Sequence, residues 1–387
     1  MPIVNRIADL HAEITAWRRD LHAHPELLYD VQRTAASVAD KLKTFGCDEV
    51  VGGIGRTGVV GVIRGRKAGD KVVALRADMD ALPIEEATNL PYQSTVSGKM
   101  HACGHDGHTA MLLGAAKYLA DTRNFAGTAV VIFQPAEEGG AGARAMMRDG
   151  LLDRFGIQEV YGMHNYPGLP IGQFAIRSGP AMASTDSIAI ELEGIGSHGA
   201  WPHFGVDTIL VGSQIVNQLQ SIVSRNVDAM QAAVVSICMF QGGHTDNVIP
   251  QHVRMLGTAR ALSPRVRELL EKRVREVVEG TARLYGAKAK LTYAAGYPVL
   301  VNDEKRAAFA AAVAGEIAGK DKVNQNCPAL MGAEDFAFML QERPGAFIYV
   351  GNGDSAQLHN PAYDFNDEAI PHGSSYWVRL AETALAG

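Results

Sequence analysis

Hydrophobic residues recur along the chain in two rhythms, and each rhythm predicts a kind of element. Near the N-terminus they return every three or four positions, which predicts two helices within the first fifty residues. Short apolar runs rich in β-branched residues predict strands, and they lie at 58–63, 72–75, 128–133, 159–164 and 346–351. The first two of these runs are predicted to form a hairpin or neighbouring strands. Helical patterns separate the later strands, so we predict an α/β fold with a mainly parallel, mixed sheet and helices on both faces.

Residues 184–293 follow a different pattern. Strand, helix, strand, strand, helix and strand succeed one another there, which is the split βαβ, ferredoxin-like plan. The second helix is predicted at 264–284, with Ser263 as a candidate N-cap and Pro264 at its first position. We therefore expect a small α+β domain at 184–293, inserted into a larger domain built from 1–183 and 294–387.

Composition agrees with two ordinary globular domains. The chain has 387 residues, of which 47% are hydrophobic and 20% charged, and this length exceeds what one hydrophobic core usually supports. The net charge of -6, without long runs of like charge, disfavours nucleic acid or an anionic membrane as a main partner. No stretch of about 18 consecutive apolar residues predicts a membrane span.

The four cysteines of the chain are far apart in sequence. The first twenty residues lack the uninterrupted apolar core of a signal peptide, so we interpret the cysteines as thiols in a reducing compartment. A cytoplasmic protein is the expectation.

Two glycine motifs resemble a dinucleotide fingerprint. The pattern G-x-G-x-x-G occurs at 53–58 and again at 194–199. Such a site needs a strand before the glycines and a helix directly after them. A strand pattern follows the first motif, and the helix after the second is predicted to begin only near Asp207, so neither motif predicts nucleotide binding.

The segment HACGHDGH at 101–108 concentrates the chain's candidate chemistry. Imidazole, thiol and carboxylate groups are the ligands that borderline-soft divalent metals prefer. The same residues could instead cap a helix predicted to start near Thr109 or form buried polar contacts. A structural zinc site lacks a second Cys or His pair at finger-like spacing.

Further ligand-type residues follow predicted strands. Taken singly, each has an ordinary explanation as a helix-capping acid, a turn aspartate or a packed histidine. Together they lie at the carboxyl ends of strands, the edge where open α/β sheets bind ligands. Their number exceeds the needs of one tetrahedral ion and favours two metal ions about 3.5 to 4 Å apart. These residues are Asp78, Asp80, Glu137, Glu138, His164 and His359.

The motifs resemble those of one enzyme family across essentially the whole chain. They are RRDLHAHPEL (18–27), RADMDALP (76–83), MHACGHDGHTAMLLGAA (100–116), FQPAEEGGAGARAM (133–146), GMHN (162–165), GSHGAWPHFGVD (196–207), GGHTDNVIP (242–250), MGAEDFAF (331–338) and LHNPAYDFND (358–367). This set resembles the hippurate hydrolase and indole-acetyl-amino-acid hydrolase branch of the aminoacylase and carboxypeptidase metallopeptidase family. The resemblance implies a zinc-exopeptidase-like catalytic domain with a dinuclear metal site, and a ferredoxin-like lid.

The resemblance also implies roles for individual residues. Glu137 would be the general base, and His198 would stabilise the oxyanion from its own or a neighbouring subunit. Asn247 and Arg260 would hold the substrate carboxylate. Relatives in the peptidase branch place a metal-binding histidine two residues before a strand-end aspartate, where this chain has Asp78 and Asp80; a direct metal role of Asp78 is left open, and Asp80 is expected to orient other groups. The implied metal ligands are Cys103, His105, Glu138, His164 and His359.

The implied activity is metal-dependent hydrolysis of the amide bond of hippurate-like N-acyl amino acids. Two divalent ions per subunit, of Zn, Mn, Ni or Co, would be the cofactors. The alternative is a dinuclear carboxypeptidase or dipeptidase that cleaves dipeptides or aminobenzoyl-glutamate. A metal-dependent binding protein and a phosphoesterase are the candidates from other classes. The expected partner is a small molecule, with neither nucleic acid nor membrane, and the lid helices could pack internally or pair in a homo-oligomer.

Overall fold

A computed structural model describes residues 3–387, and the chain divides into two compact units. The first unit comprises Met1–Gly179, Val301–Pro328 and Asp335–Gly387. The second comprises Pro180–Leu300 and Ala329–Glu334. None of the helices within residues 3–387 combines the length and apolar character needed to cross a bilayer.

Ten α-helices occur in the described residues. They are α1 Asn5–Ala23, α2 Gln32–Thr44, α3 His105–Thr122, α4 Gly142–Arg148, α5 Leu151–Arg154, α6 Thr208–Arg225, α7 Pro264–Leu284, α8 Glu304–Ala318, α9 Ala337–Glu342 and α10 Ile370–Ala384.

Sixteen β-strands accompany them over the same range. They are β1 Glu49–Ile54, β2 Gly58–Arg64, β3 Lys67–Asp78, β4 Ala126–Gln134, β5 Glu159–Tyr166, β6 Phe174–Ala175, β7 Gly179–Met182, β8 Ser184–Glu193, β9 Ser197–His198, β10 Ala233–Gly242, β11 Val248–Ile249, β12 His252–Ala261, β13 Lys288–Ala295, β14 Leu300–Asn302, β15 Val323–Asn324 and β16 Gly345–Gly351.

An eight-stranded mixed sheet organises the first unit, in the order β1-β2-β4-β3-β5-β16-β6-β15. The neighbouring strands β4, β3, β5 and β16 run parallel to one another. Strand β2 pairs antiparallel with β1 and β4, and β6 pairs antiparallel with β16 and parallel with β15. The predicted α/β class with a mixed sheet is confirmed. The prediction that β2 and β3 form a hairpin or lie side by side is wrong, because β4 lies between them and β2 pairs instead with β1 and β4.

Helix α3 lies at the centre of the first unit. Most of its residues from His105 to Ala120 are buried, because it packs against the sheet and against α1 and α10. The helix begins at His105, four residues before the predicted start near Thr109. The reason is Gly104, whose φ of 90° turns the chain directly into the helix. The first helical turn therefore carries His105 and His108.

The second unit contains a four-stranded antiparallel sheet in the order β10-β12-β8-β13. Helices α6 and α7 each bury one apolar stripe in the core of this unit. Helix α7 occupies the predicted range, with Pro264 at its first turn. The carboxylate of Asp207 caps α6 by accepting hydrogen bonds from two backbone N–H groups of its first turn. A lid role for residues 184–293 stays a prediction.

Candidate metal centre

The carboxyl ends of the parallel strands bring the candidate ligands of the first unit together. Glu138 lies in the turn after β4, His164 lies in β5, and His359 follows β16. Cys103 and His105 come from the start of α3. Ligand atoms of Cys103, Glu138 and His359 lie within 4.8 Å of one another. The same holds for Cys103, His105 and His164, so all five predicted ligands share one site.

Close approaches between ligand-type atoms define the centre of this site. The Sγ atom of Cys103 lies 3.4 Å from Nε2 of His164. Oε1 of Glu138 lies 3.3 Å from Nε2 of His359 and 3.9 Å from Nε2 of His105. Thiol, imidazole and carboxylate groups therefore converge on one small volume.

Local backbone geometry holds two of the ligands in place. A Cβ atom on Gly104 would lie 2.3 Å from the side-chain nitrogen of Asn165, so this position between two ligands requires glycine. His359 adopts a φ of 64°, and its N–H donates to the carbonyl of Ala102 at 2.8 Å. That bond joins the segment after β16 to the loop that carries Cys103.

Of the three histidines in 101–108, only His105 is directed at the centre. Nδ1 of His105 donates to the backbone carbonyl of Asp80 at 2.8 Å, which turns its Nε2 towards the other ligands. Both ring nitrogens of His108 are engaged, because Nδ1 donates to Asp78 at 2.6 Å and Nε2 accepts the N–H of Asn165 at 2.9 Å. His101 is buried and lies with its ring centroid 6.4 Å from that of His22.

The two strand-end aspartates have different surroundings. The oxygens of Asp78 bind Arg76 at 2.7 Å and His108 at 2.6 Å, and one of them lies 3.7 Å from Nε2 of His105. The carboxylate of Asp80 accepts the backbone N–H groups of Glu137 at 3.0 Å and Glu138 at 3.1 Å. Asp80 therefore orients the two glutamates, as the sequence led us to expect.

Glu137 lies beside the centre and is buried, with 7% of its surface exposed. Its carboxylate lies within 4.8 Å of ligand atoms of His105 and Glu138. Helix α4 begins only at Gly142 and has no acidic residue in its first turn. The helix-capping explanation of the glutamate pair is therefore wrong.

Electrostatics in the site reflect burial and crowding. Burial and the Glu138 carboxylate raise the pKa of the Cys103 thiol well above its ordinary value. Burial and the neighbouring His108 lower the pKa of His164. Burial opposes ionisation of Asp78, but His105 and Arg76 outweigh it and hold the pKa of this carboxyl well below its usual range. A bound cation would favour the deprotonated thiol and the neutral imidazole, which are the forms that act as ligands.

The residues present fit a metal centre. Nε2 of His105 is buried and has no hydrogen-bond partner within residues 3–387, although buried imidazole nitrogens normally have one. It lies 3.9 Å from Oε1 of Glu138, and His105 shares one group of ligand atoms with the thiol of Cys103 and the imidazole of His164. This donor set suits borderline-soft divalent ions, and the two overlapping groups of ligands provide for two of them.

The remaining predicted residues belong to the second unit. His198 is exposed in β9, and its ring centroid lies 4.8 Å from that of Trp201. Asn247 is also exposed and precedes β11, the partner strand of β9. Arg260 is half-buried in β12, where its Nη1 donates to the carbonyl of Met331 at 3.3 Å. His198 and Asn247 thus lie in or beside the two-stranded sheet of β9 and β11, and Arg260 lies in the four-stranded sheet of the second unit.

Sequence reasoning missed several residues that support the site. Arg76 and Asp335 form a buried ion pair of 3.0 Å beneath it. Asn165 donates its side-chain amide to the carbonyl of Cys103 at 2.6 Å. All three residues lie within motifs that carry the family resemblance, but the sequence gives no signal for their contacts, which join segments far apart in the chain.

Comparison with known proteins gives one consistent result. The model of peptidase family M20/M25/M40 matches residues 74–383. Hippurate hydrolase from Campylobacter jejuni is 43% identical over 381 residues, which cover 98% of this chain and 99% of that protein. N-acetylcysteine deacetylase from Bacillus subtilis is 39% identical over 376 residues, which cover 97% of each chain.

A solved structure agrees with these relatives. The crystal structure of the Bacillus subtilis YXEP protein, a dinuclear metal binding peptidase from the M20 family, matches with a TM-score of 0.85 and 36% identity over 98% of this chain and 99% of that chain. The family match spans most of the sequence and includes every candidate ligand. The chain therefore belongs to peptidase family M20/M25/M40.

Proposed function

We propose that this protein is a metal-dependent amidohydrolase that cleaves N-acyl amino acids into a carboxylic acid and a free amino acid. One observation carries the proposal: the buried carboxylate of Glu137 lies beside five converging metal-ligand side chains at one edge of the sheet. Two relatives support the substrate class, because one is a hippurate hydrolase and the other an N-acetylcysteine deacetylase.

The cofactors of the proposed enzyme are two divalent cations per chain. Zinc, manganese, nickel and cobalt all suit the mixed donor set, and the thiol favours the softer of them. When bound, such cations lower the pKa of a water molecule and polarise the amide carbonyl. The residues that would hold them are Cys103, His105, Glu138, His164 and His359.

Glu137 performs the proton transfers in this proposal. Its carboxylate takes a proton from the attacking water and returns it to the nitrogen of the leaving amine. Asp80 keeps Glu137 in place through the backbone N–H that it accepts. A general base held in this way typically raises the rate by about 10²- to 10⁴-fold.

The second unit supplies the substrate contacts in this proposal and serves as the lid. His198 donates to the oxyanion, from its own chain or from a second copy. Arg260 binds the carboxylate of the amino acid with its guanidinium group, and Asn247 donates its side-chain amide to the same carboxylate.

A dinuclear carboxypeptidase or dipeptidase is the second candidate. It is favoured by the matching crystal structure, whose protein is described as a peptidase. The two functions differ in the acyl group on the scissile amide nitrogen, which is a simple acyl group such as benzoyl or acetyl in one case and an amino-acid residue with a free amine or an aminobenzoyl group in the other. Parallel assays on N-benzoylglycine, on dipeptides with free amines and on aminobenzoyl-glutamate separate them.

A homo-oligomer and a cytoplasmic location complete the proposal. Strand β10 is an edge strand of the second unit's four-stranded sheet, and the same unit exposes apolar side chains, among them Phe204 by 70% and Val248 by 53%. An open edge with exposed apolar groups favours pairing with a second copy. The cysteines are free thiols, which fits a reducing compartment such as the cytoplasm.

Turnover of N-benzoylglycine tests the proposed function. Wild-type protein stripped of metal by a chelator is expected to be inactive, and two equivalents of divalent metal are expected to restore hydrolysis. Glu137→Gln is expected to bind both ions and to lose about two to four decades of kcat. Glu159→Gln, which alters another buried carboxylate of the first unit, is the matched control and should retain kcat. Metal-loaded wild-type protein that cleaves no N-acyl amino acid would refute the proposal.

A further inference from the structure

A buried carboxylate that has no role in the proposed reaction lies directly behind Glu137. Asp335 begins the last segment of the first unit and is 0% exposed. Burial of an ionised carboxylate is costly unless it is paired and hydrogen-bonded. The contacts that satisfy Asp335 therefore indicate what it does.

The side chain of Asp335 accepts hydrogen bonds from two strands and a helix. Nη2 of Arg76 donates to its Oδ1 at 3.0 Å. The side-chain amide of Gln134 donates to Oδ1 at 2.8 Å and to Oδ2 at 3.0 Å, and the backbone N–H of Ala143 donates to Oδ2 at 2.9 Å. Arg76 and Gln134 belong to the neighbouring strands β3 and β4, and Ala143 belongs to helix α4. Asp335 is thus attached to both elements that flank the Glu137 turn.

The next residue fixes the same segment by packing. Phe336 is fully buried, and its ring lies 5.8 Å from the guanidinium carbon of Arg76. Its ring centroid lies 5.7 Å from that of Phe347 in β16. Side-chain bonds and ring packing together leave the backbone of Asp335 little freedom.

The backbone of Asp335 in turn contacts the candidate base. Its N–H donates to Oε1 of Glu137 at 3.3 Å. Asp80 holds the backbone of Glu137, whereas Asp335 contacts the carboxylate itself. The orientation of that carboxylate therefore depends on where the Asp335 backbone lies.

We propose that Asp335 is a positioning residue for the carboxylate of Glu137. The inference rests on the proposed function, in which Glu137 is the general base. The anchored Asp335 side chain keeps its own N–H in place, and this N–H keeps Glu137 directed at the metal centre. Misplacement of a reacting group by about 1 Å can cost about 100-fold in rate. Loss of the anchor should therefore lower kcat by less than loss of Glu137 itself.

The test compares Asp335→Asn with Asp335→Ala. The asparagine keeps an oxygen that can accept from Ala143 and Gln134, so we expect kcat to fall about ten-fold in Asp335→Asn and about 100-fold in Asp335→Ala. The KM for N-benzoylglycine and the binding of two metal ions should be unchanged. Gln134→Met removes one hydrogen-bond donor to the Asp335 side chain without altering its charge. If the aspartate variants do not fold, a lower kcat with unchanged KM and unchanged metal binding in Gln134→Met tests the same inference.

A matched control separates positioning from general destabilisation. Glu159 is also a buried carboxylate of the large sheet, paired with Lys71 at 2.8 Å and Arg306 at 2.9 Å. Glu159→Gln should lower the unfolding temperature but leave kcat within about two-fold of the wild-type value. If it lowers kcat as much as Asp335→Asn does, the positioning role is refuted.

Crystal structures of the variants give a readout that does not depend on turnover. We expect the Glu137 carboxylate to move or become disordered in Asp335→Ala and to keep its place in Glu159→Gln. An unmoved Glu137 carboxylate, or a kcat for Asp335→Ala within two-fold of wild type, would overturn the inference. Wild-type protein without activity on N-acyl amino acids would instead refute the proposed function, and the position of Glu137 would still decide the inference.

Discussion

Replacement of Arg18 by methionine should destabilise the protein severely. Arg18 lies in α1 and its side chain is fully buried. Its Nε forms an ion pair with Oδ2 of Asp106 at 2.9 Å, and its Nη2 donates a hydrogen bond to Oδ1 of Asp364 at 2.6 Å. Asp106 follows the ligand His105 directly in α3, so these ion pairs join α1 to the segment that starts the metal centre.

The magnitude follows from the burial of the partners. Asp106 has 0% side-chain exposure, whereas Asp364 has 30% and can recover some hydration. Removal of one partner from a buried ion pair typically costs about 3 to 5 kcal/mol, because the other charge stays buried. A domain of this kind has a free energy of unfolding of about 5 to 15 kcal/mol, so Arg18→Met should lose a large part of it.

Urea unfolding of metal-free protein, followed by circular dichroism, measures this loss. Arg19→Met is the matched control, because Arg19 is 48% exposed and binds Asp367 at 2.9 Å from the same helix; it should cost about 1 kcal/mol or less. Adding Asp106→Asn to Arg18→Met should recover about 1 to 3 kcal/mol, since the neutral amide no longer buries a carboxylate that has lost its guanidinium partner. A cost for Arg18→Met equal to that of Arg19→Met, or no coupling in the double variant, would refute the reasoning.

Three further predictions concern pH, metal binding and backbone geometry. Burial disfavours the charged form of His22, but hydrogen bonds to Asp106 and a neighbouring glutamate outweigh it and raise its pKa from 6.5 to about 9. The contribution of protonated His22 to the free energy of unfolding should therefore be complete below pH 6.5 and lost as the pH rises through about 9. A cost of His22→Gln in urea unfolding that is equal at pH 6 and pH 9.5 would contradict this. His105→Ala should bind fewer than two metal ions by elemental analysis, and two retained ions with full turnover would require a different ligand set. Gly104→Ala should cost about 1 to 3 kcal/mol of unfolding free energy and weaken metal binding. Gly280→Ala in α7 is the control: an added Cβ meets nothing within 4 Å there, so this variant should be neutral or stabilising. Equal effects of the two substitutions would contradict the steric explanation.

Elements with a strong local signal were predictable from the sequence. Helix α7 occupies 264–284 as expected, because its apolar stripe and Pro264 are local features. The place of β2 was not predictable in this way. Its neighbour β4 comes from residues more than sixty positions later, and an apolar run does not reveal its partner. Likewise the start of α3 depends on the left-handed conformation of Gly104.

The candidate site was predictable as a set of residues, but not in its supporting contacts. Spacing alone cannot separate His105 from His108, since both lie in the first turn of α3. The difference arises because Asp78 and Asn165, from two other strands, engage both nitrogens of His108. The buried Asp335 carries no local signal either, because its partners come from β3, β4 and α4.

Anomalous diffraction from crystals loaded with zinc or manganese tests the central claim most directly. The account predicts two anomalous peaks about 3.5 to 4 Å apart, in contact with the side chains of Cys103, His105, Glu138, His164 and His359 and with Glu137 beside them. A single peak, or peaks away from these side chains, would contradict it.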